Sequence, residues 1–222
     1  MYWNYETSSC GGSPDGQLRQ SQTGAVLLSS NSDPDFALLE LDDLPAPAFN
    51  VYFAGWDSRG GSFPNGAGIH HPRGDEKRIS LFRASPRKTR ALVDGEPVQS
   101  WEVFWNEGVT EPGSSGSALF DNEGRVVGQL AGGNSSCEAP GASDVYGRLD
   151  YGWNTSADAS EQLQTWLDAA GTGLRVLGGR EPSVASSRAV NDQFVMSRRV
   201  NRSVPLTCLL YTSDAADERS SV

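Results

Sequence analysis

The chain of 222 residues sets 18 Lys and Arg against 28 Asp and Glu, a formal net charge of −10, which argues against a nucleic-acid binder because counterion release needs clustered cations. No apolar run is long enough to cross a bilayer as a helix, and the opening residues lack the basic start and apolar stretch of a signal peptide. With 37% hydrophobic residues, 25 Gly and 12 Pro, the composition suits many short strands joined by turns better than a set of long helices.

In chain order, residues 2–7 alternate aromatic and polar side chains and predict a half-buried strand. A Gly, Ser, Pro and Asp-rich loop follows at 8–22, then strands at 24–29 and 35–41 around a turn at 30–34. Residues 44–49 have the proline spacing of an extended linker, and strand character resumes at 50–56. A Gly-rich loop through Gly68 leads to His70 and His71, a short strand at 77–82, a loop at 85–97 and a β-prone stretch at 100–105. Residues 117–120 and 125–130 flank a turn whose Asp121 and Asn122 precede Gly124, the chemistry of a hairpin. At 158–170 the period changes, with Leu163, Trp166 and Leu167 on one helical face, and Gly171 and Gly173 stop the helix. From 179 onward the periodicity collapses and predicts an unstructured tail, within which 208–218 (CLLYTSDAADE) reads as translated cloning-adapter sequence.

Two motifs carry chemistry. The word EPGSSGSA at 111–118 sets Ser115 among small residues just before a strand. There the backbone can curl so that successive N–H groups converge beside the hydroxyl, as an oxyanion hole requires; a plain Gly/Ser turn explains the same eight residues without chemistry. Asp35 stands at the mouth of the apolar run DFALL at 35–39. A carboxylate there needs a cationic or hydrogen-bonding partner, which suits the orienting acid of a catalytic histidine as well as an ordinary turn Asp.

Together these motifs resemble the chymotrypsin-like serine proteases, in which DFALL matches the run around the triad aspartate and GSSGSA takes the place of G-D-S-G-G-P. The chain is similar in particular to the bacterial lysyl endopeptidases, through YWNY at 2–5, AGWD at 54–57, IHHP at 69–72, EKRIS at 76–80, GVTEPGSSGS at 108–117, GQL at 128–130 with Gly132 and Gly133, and SD at 143–144 with YGR at 146–148. The resemblance covers about 1–178. It implies an all-β fold of two six-stranded antiparallel barrels, the first incomplete, with a C-terminal helix. A remnant of the first barrel would occupy 1–47, the second barrel 48–154, and the helix and domain end 155–178.

The resemblance further implies Ser115 as nucleophile, Asp35 as triad carboxylate, and the amides of Gly113 and Ser115 as the oxyanion hole. Asp144 would be the acid that selects a cationic side chain, and Gly132 and Gly133 the strand that pairs with substrate. No metal or other cofactor is implied. The expected protein is a secreted bacterial monomer acting on protein and peptide substrates with Lys or Arg, with no nucleic-acid or membrane partner.

The sequence departs from the family at several points. The family's catalytic base lies in a T-A-x-H-C segment upstream of the triad aspartate, whereas the two histidines here, His70 and His71, both follow Asp35. Chain order in this fold is His, Asp, Ser, so the pair reads as structural or surface, and the base is expected upstream of Met1, leaving this fragment inactive. Cys10 and Cys137 match half-cystines whose partners in relatives lie in that upstream stretch, and Cys208 falls in the adapter-like run. Ala131 stands where lysyl endopeptidases carry a His, and 85–97 contains no Trp, so cleavage after Lys or Arg is expected rather than strict Lys preference. The alternatives are a secreted binding module on a degenerate protease fold and, with six Trp and many Gly, an unrelated carbohydrate-binding domain; the latter leaves the 113–118 turn and Asp144 without a role.

Overall fold

The computed structural model describes residues 1–9 and 11–181, together with the backbone of Cys208–Tyr211. Strands β1 (Ala25–Asn31) and β2 (Phe36–Leu41) form an antiparallel pair with a bulge between Leu27 and Ser29. The remaining elements to 177 are β3 (Gly55–Asp57), β4 (Gly66–His70), β5 (Arg78–Phe82), β6 (Arg87–Val93), β7 (Glu96–Phe104), β8 (Ala118–Asp121), β9 (Arg125–Gly133), β10 (Ser143–Arg148), the short helices α1 (Leu149–Gly152) and α2 (Gln164–Leu167), and β11 (Val176–Leu177).

The larger sheet runs β5-β4-β8-β9-β10-β7-β6 with antiparallel neighbours throughout. Just past β7, Leu81 of β5 donates to the Glu107 carbonyl at 2.8 Å and accepts from the Asn106 amide at 2.8 Å. Those bonds close β5-β4-β8-β9-β10-β7 into a six-stranded barrel, and β6 folds back on β7 as a hairpin arm. The all-β, chymotrypsin-like architecture expected from the sequence is the one observed.

The barrel core is aromatic: Phe63, Phe82, Trp101, Trp105 and Tyr146 pack with Val103, Leu119, Val127 and Leu130. A second cluster joins the β1–β2 sheet to the barrel's flank, where Phe36 and Leu38 of β2 meet Trp56, Leu149, Trp153, Leu163 and Leu167. The Trp56 and Trp153 rings lie 4.8 Å apart. Each such buried side chain contributes about 1.5–3 kcal/mol of transfer free energy.

Several expectations need correction. Residues 2–7 form no strand beyond a single bridge from Tyr2 to Ser21. Asn4 takes φ 50° and turns its amide to the Phe49 carbonyl, which breaks the extended run. The 50–56 strand starts only at Gly55, because Asn50 is left-handed at φ 47° and ends a 3-10 turn at Pro47–Phe49 inside the expected linker. The Gly-rich stretch before His70 is strand β4: a Cβ at Gly68 would lie 2.9 Å from Trp105 and from the Tyr146 hydroxyl, so the glycines admit neighbours rather than loosen the chain. The 85–97 loop is the β6–β7 hairpin, turned by Asp94 and Gly95 at φ 50° and 89°.

The helix expected at 158–170 shrinks to a 3-10 turn at Ala159–Glu161 and one turn of α2. Asp168 accounts for the early stop. Its carboxylate accepts from the amides of Thr172 and Gly173 and from the Thr172 hydroxyl, all at 2.7–2.8 Å, a local competitor to helical bonding. Leu163 and Leu167 are nevertheless buried as their spacing predicts. Of the expected tail, Cys10's companion in the odd cysteine count, Cys208, begins a stretch (Cys208–Tyr211) whose backbone pairs antiparallel with β2. Residues 182–207 and 212–222, and with them most of the adapter-like run, lie outside the described residues, as does Cys10.

Candidate active site

The loop between β7 and β8 carries Ser115. Gly113 and Gly116 take φ 89° and 79°, which only glycine adopts cheaply, and they bracket two tight turns: Ser114 N–H donates to Glu111 O at 3.1 Å, and Ser117 N–H to Ser114 O at 3.1 Å. Gly116 N–H then donates to Leu130 O at 2.9 Å, and Leu130 N–H to Ser117 O at 2.8 Å, which fastens the loop to β9. The amides of Gly113 and Ser115 donate to no acceptor among the described residues. Beside a half-buried Ser115, two unengaged donors are what an oxyanion hole requires.

The segment after β4 braces this loop from below. Arg73 N–H donates to Pro112 O at 2.6 Å, and a Cβ at Gly113 would sit 3.1 Å from the Arg73 nitrogen, so the two backbones are in near contact. The Arg73 guanidinium reaches Glu111 at 2.8 and 3.2 Å, and the other Glu111 oxygen accepts from the Cys137 amide at 3.0 Å. Those bonds hold the Glu111 carboxyl below its ordinary pKa, the Cys137 amide first and Arg73 next. Cys137 is a free, exposed thiol whose pKa is raised by its contact with Glu111.

Asp35 is brought to the same region from the other sheet. It takes φ 49° at the end of the β1–β2 turn, where its amide donates to Ser32 O at 3.2 Å. Gln129 of β9 clasps the turn, its Nε2 donating to Pro34 O at 2.8 Å and to Asp35 O at 3.1 Å. Its neighbour Leu130 receives the Ser115 loop, so the Asp35 and Ser115 turns attach to consecutive residues of one strand.

Asp144 lies on β10 opposite Gly133 of β9 and Val103 of β7, and solvent does not reach it. Its Oδ2 accepts from Trp105 Nε1 at 2.6 Å, Thr110 Oγ1 at 2.8 Å and Ser135 Oγ at 2.6 Å, and its Oδ1 from the Ser135 amide at 3.0 Å. Every donor is neutral. Among the described residues no Lys, Arg or His forms an ion pair with it. Gly133 must be glycine because a Cβ would fall on the Asp144 carboxylate, and Gly132 faces Val93 across the same strand end. Thr110, five positions before Ser115, ties the carboxylate to the Ser115 loop.

His70 is buried and His71 half-buried. His71 stacks on Tyr5 at 5.9 Å and bonds the Asp75 carbonyl at 3.0 Å. His70 contacts Ser114 and Ser80. The sequence reading of the pair as structural or surface does not anticipate the contact of His70 with the Ser115 loop. A separate 350 Å³ cleft lined by Asp57, Arg59, Trp101, Asp121, Arg125 and Asp150 includes none of these site residues.

A closed antiparallel barrel that presents a serine between glycines, with a second β-sheet on its flank, is the architecture of the chymotrypsin-like serine proteases. The family model for the lysyl endopeptidase C-terminal domain matches residues 1–147, and the chain belongs to that family. It is 38% identical over 149 residues to a lysyl endopeptidase of Pseudomonas aeruginosa, an alignment covering 62% of this chain and 30% of that protein's length. A crystal structure of Rv3671c from M. tuberculosis H37Rv, in a mutant inactive form, aligns over 55% of this chain and 58% of that one at 19% identity, with a TM-score of 0.35.

Proposed function

We propose that this chain forms the nucleophile-bearing part of a secreted serine endopeptidase that cleaves after Lys or Arg through an acyl-enzyme. The observation that carries this reading is the Ser115 turn, with the Gly113 and Ser115 amides unengaged and Asp144 linked to the same loop through Thr110. In the proposed mechanism, an imidazole supplied from sequence preceding Met1 removes the Ser115 proton as Oγ attacks the carbonyl carbon. Asp35 steadies the resulting imidazolium, and the two amides receive the oxyanion. The imidazolium then protonates the departing amine, and water, activated by the same base, releases the acyl group. Asp144, a buried charge compensated only by neutral donors, favours a substrate cation that joins or displaces them, while a neutral side chain offers it nothing.

Without the imidazole the chain is expected to retain only what binding and the oxyanion hole supply, roughly 10³–10⁴-fold over water. The test joins the chain to its full-length protein and treats it with a serine-directed phosphonate bearing a lysine-like side chain. An adduct on Ser115, found by peptide mass spectrometry and absent from the chain alone, is expected. An intact, folded protein that gives no adduct at Ser115 overturns the assignment and leaves a binding module on a protease fold.

A further inference from the structure

Four hydrogen bonds run without a break from the Ser115 loop into the barrel. The Glu111 amide donates to Ser114 Oγ at 3.4 Å; Ser114 Oγ meets His70 Nδ1 at 2.9 Å; His70 Nε2 meets Ser80 Oγ at 3.1 Å; and Ser80 Oγ donates to Val109 O at 2.8 Å. The last bond sets the direction of the others. Because the Ser80 proton is committed to Val109, Ser80 Oγ accepts, so Nε2 carries the imidazole's hydrogen. Nδ1 is then an acceptor, and the Ser114 hydroxyl donates to it while receiving the Glu111 amide. Only a neutral, Nε2-protonated ring satisfies every member of the chain.

The ends of this relay are informative. Glu111, Ser114 and Val109 all belong to the loop that carries Ser115, and Ser114 is its immediate neighbour. Ser80 sits on β5, and Gly108, at φ 78°, packs so closely on it that a Cβ would lie 3.1 Å from the Ser80 Cα and Cβ. The ring therefore ties the start of the loop, through Val109, to its apex, through Ser114.

Resting on the endopeptidase reading, we propose that His70 is a positioning residue for Ser115: as a neutral imidazole it fixes Ser114, and thereby the peptide units whose amides form the oxyanion hole. It touches neither substrate nor reacting atoms. A second proton, on Nδ1, would turn the acceptor into a donor, leave the Ser114 hydroxyl without its acceptor and release the turn. Burial first, then the charges of neighbouring His71 and of Arg78 on β5, hold the ring's pKa down at about 4, against the opposing pull of Asp144 on β10, so the neutral form prevails at neutral pH.

The test is NMR of this chain. At pH 7 the long-range ¹H–¹⁵N spectrum should show His70 as the Nε2-protonated tautomer, and the Gly113 and Ser115 amide signals should titrate with the His70 ring near pH 4, in His71→Gln as in the parent. His70→Leu should displace those two amides, and His70→Gln, which can donate and accept, should return them. In the full-length protein the same His70→Leu change should slow phosphonate labelling of Ser115 by roughly 10²-fold, the scale of an ångström's misplacement, with His70→Gln recovering most of it. A charged or Nδ1-protonated ring at pH 7, or amides that stay still while the ring titrates, overturns the proposal even if His70→Leu fails to fold. Absence of labelling in the parent would instead remove the endopeptidase reading, and the NMR coupling would stand or fall by itself.

Discussion

Substituting Gln129 with Leu tests how the Asp35 turn is held. The side chain is wholly buried, and its Nε2 is the donor to two backbone carbonyls, at 2.8 and 3.1 Å. Depriving a buried carbonyl of its donor costs about 1–3 kcal/mol, so the two together cost about 2–6 kcal/mol. Against this, Gln129 Oε1 is itself buried without a partner among the described residues, and its replacement by a methyl returns about 1–3 kcal/mol. With mid-range values of about 4 and about 2 kcal/mol, the net expectation is a loss of about 2 kcal/mol, a drop in Tm of roughly 4–8 °C for a domain of this size. Urea unfolding followed by tryptophan fluorescence measures it. Gln129→Glu should be worse at pH 7, because it sets a carboxylate against the same carbonyls, and should improve relative to the parent as the pH falls and that group protonates. A Gln129→Leu protein as stable as the parent, or more so, would refute the idea that this amide anchors the Asp35 turn.

Three further outcomes follow from the structure. Gly147→Ala drives a Cβ onto Pro34 O and Gln129 Nε2, so it should destabilise by about 1–3 kcal/mol through overpacking, whereas Gly141→Ala, with open space around it, should stay within about 0.5 kcal/mol in the same urea assay. Stability should depend on pH through His70. Unfolded, the ring binds a proton near the ordinary histidine pKa of 6.5, and folded only near 4; its contribution is therefore complete above about pH 6.5 and is lost as pH falls towards 4, by up to about 3 kcal/mol. His70→Gln should flatten that part of the curve. The fall caused by the lowered carboxylates Asp57, Asp150 and Asp168 should remain, at lower pH. Finally, Asp144→Asn in the full-length protein should erase the preference for Lys and Arg esters over Phe esters, a ratio that a buried polar pocket can raise to roughly 10⁴; an unchanged ratio removes Asp144 from the specificity pocket.

What could be read from the sequence was what is local. The 111–118 word announces its own turn because Gly113 and Gly116 supply the positive φ that the loop needs, and Asp121 to Gly124 announces the β8–β9 turn in the same way. Errors arose where distant atoms decide. Gly66 and Gly68 look like loop residues, yet they sit in β4 because Phe120 O and the Trp105 ring leave no room for a Cβ. The helical face of Leu163 and Leu167 was correct, but the helix length depended on where the Asp168 side chain bonds. The contact of His70 with the Ser115 loop is not legible in the sequence because it spans 44 positions to Ser114, and a histidine pair at a strand end gives no sign of that.

Strand β9 is buried without interruption from Val127 to Ala131, where a half-exposed strand would alternate. A run buried on both sides must pack against a second layer, and a glutamine inside such a run must find hydrogen-bonding partners there. Gln129 finds them on the Asp35 turn, while Leu130 holds the Ser115 loop through its backbone. The spacing of the Asp35 and Ser115 turns, contributed by different sheets, is thus set by a strand that carries neither. Substitutions at Asp35 and Ser115 test the chemistry proposed for those two turns, whereas substitutions in β9 should act on geometry alone.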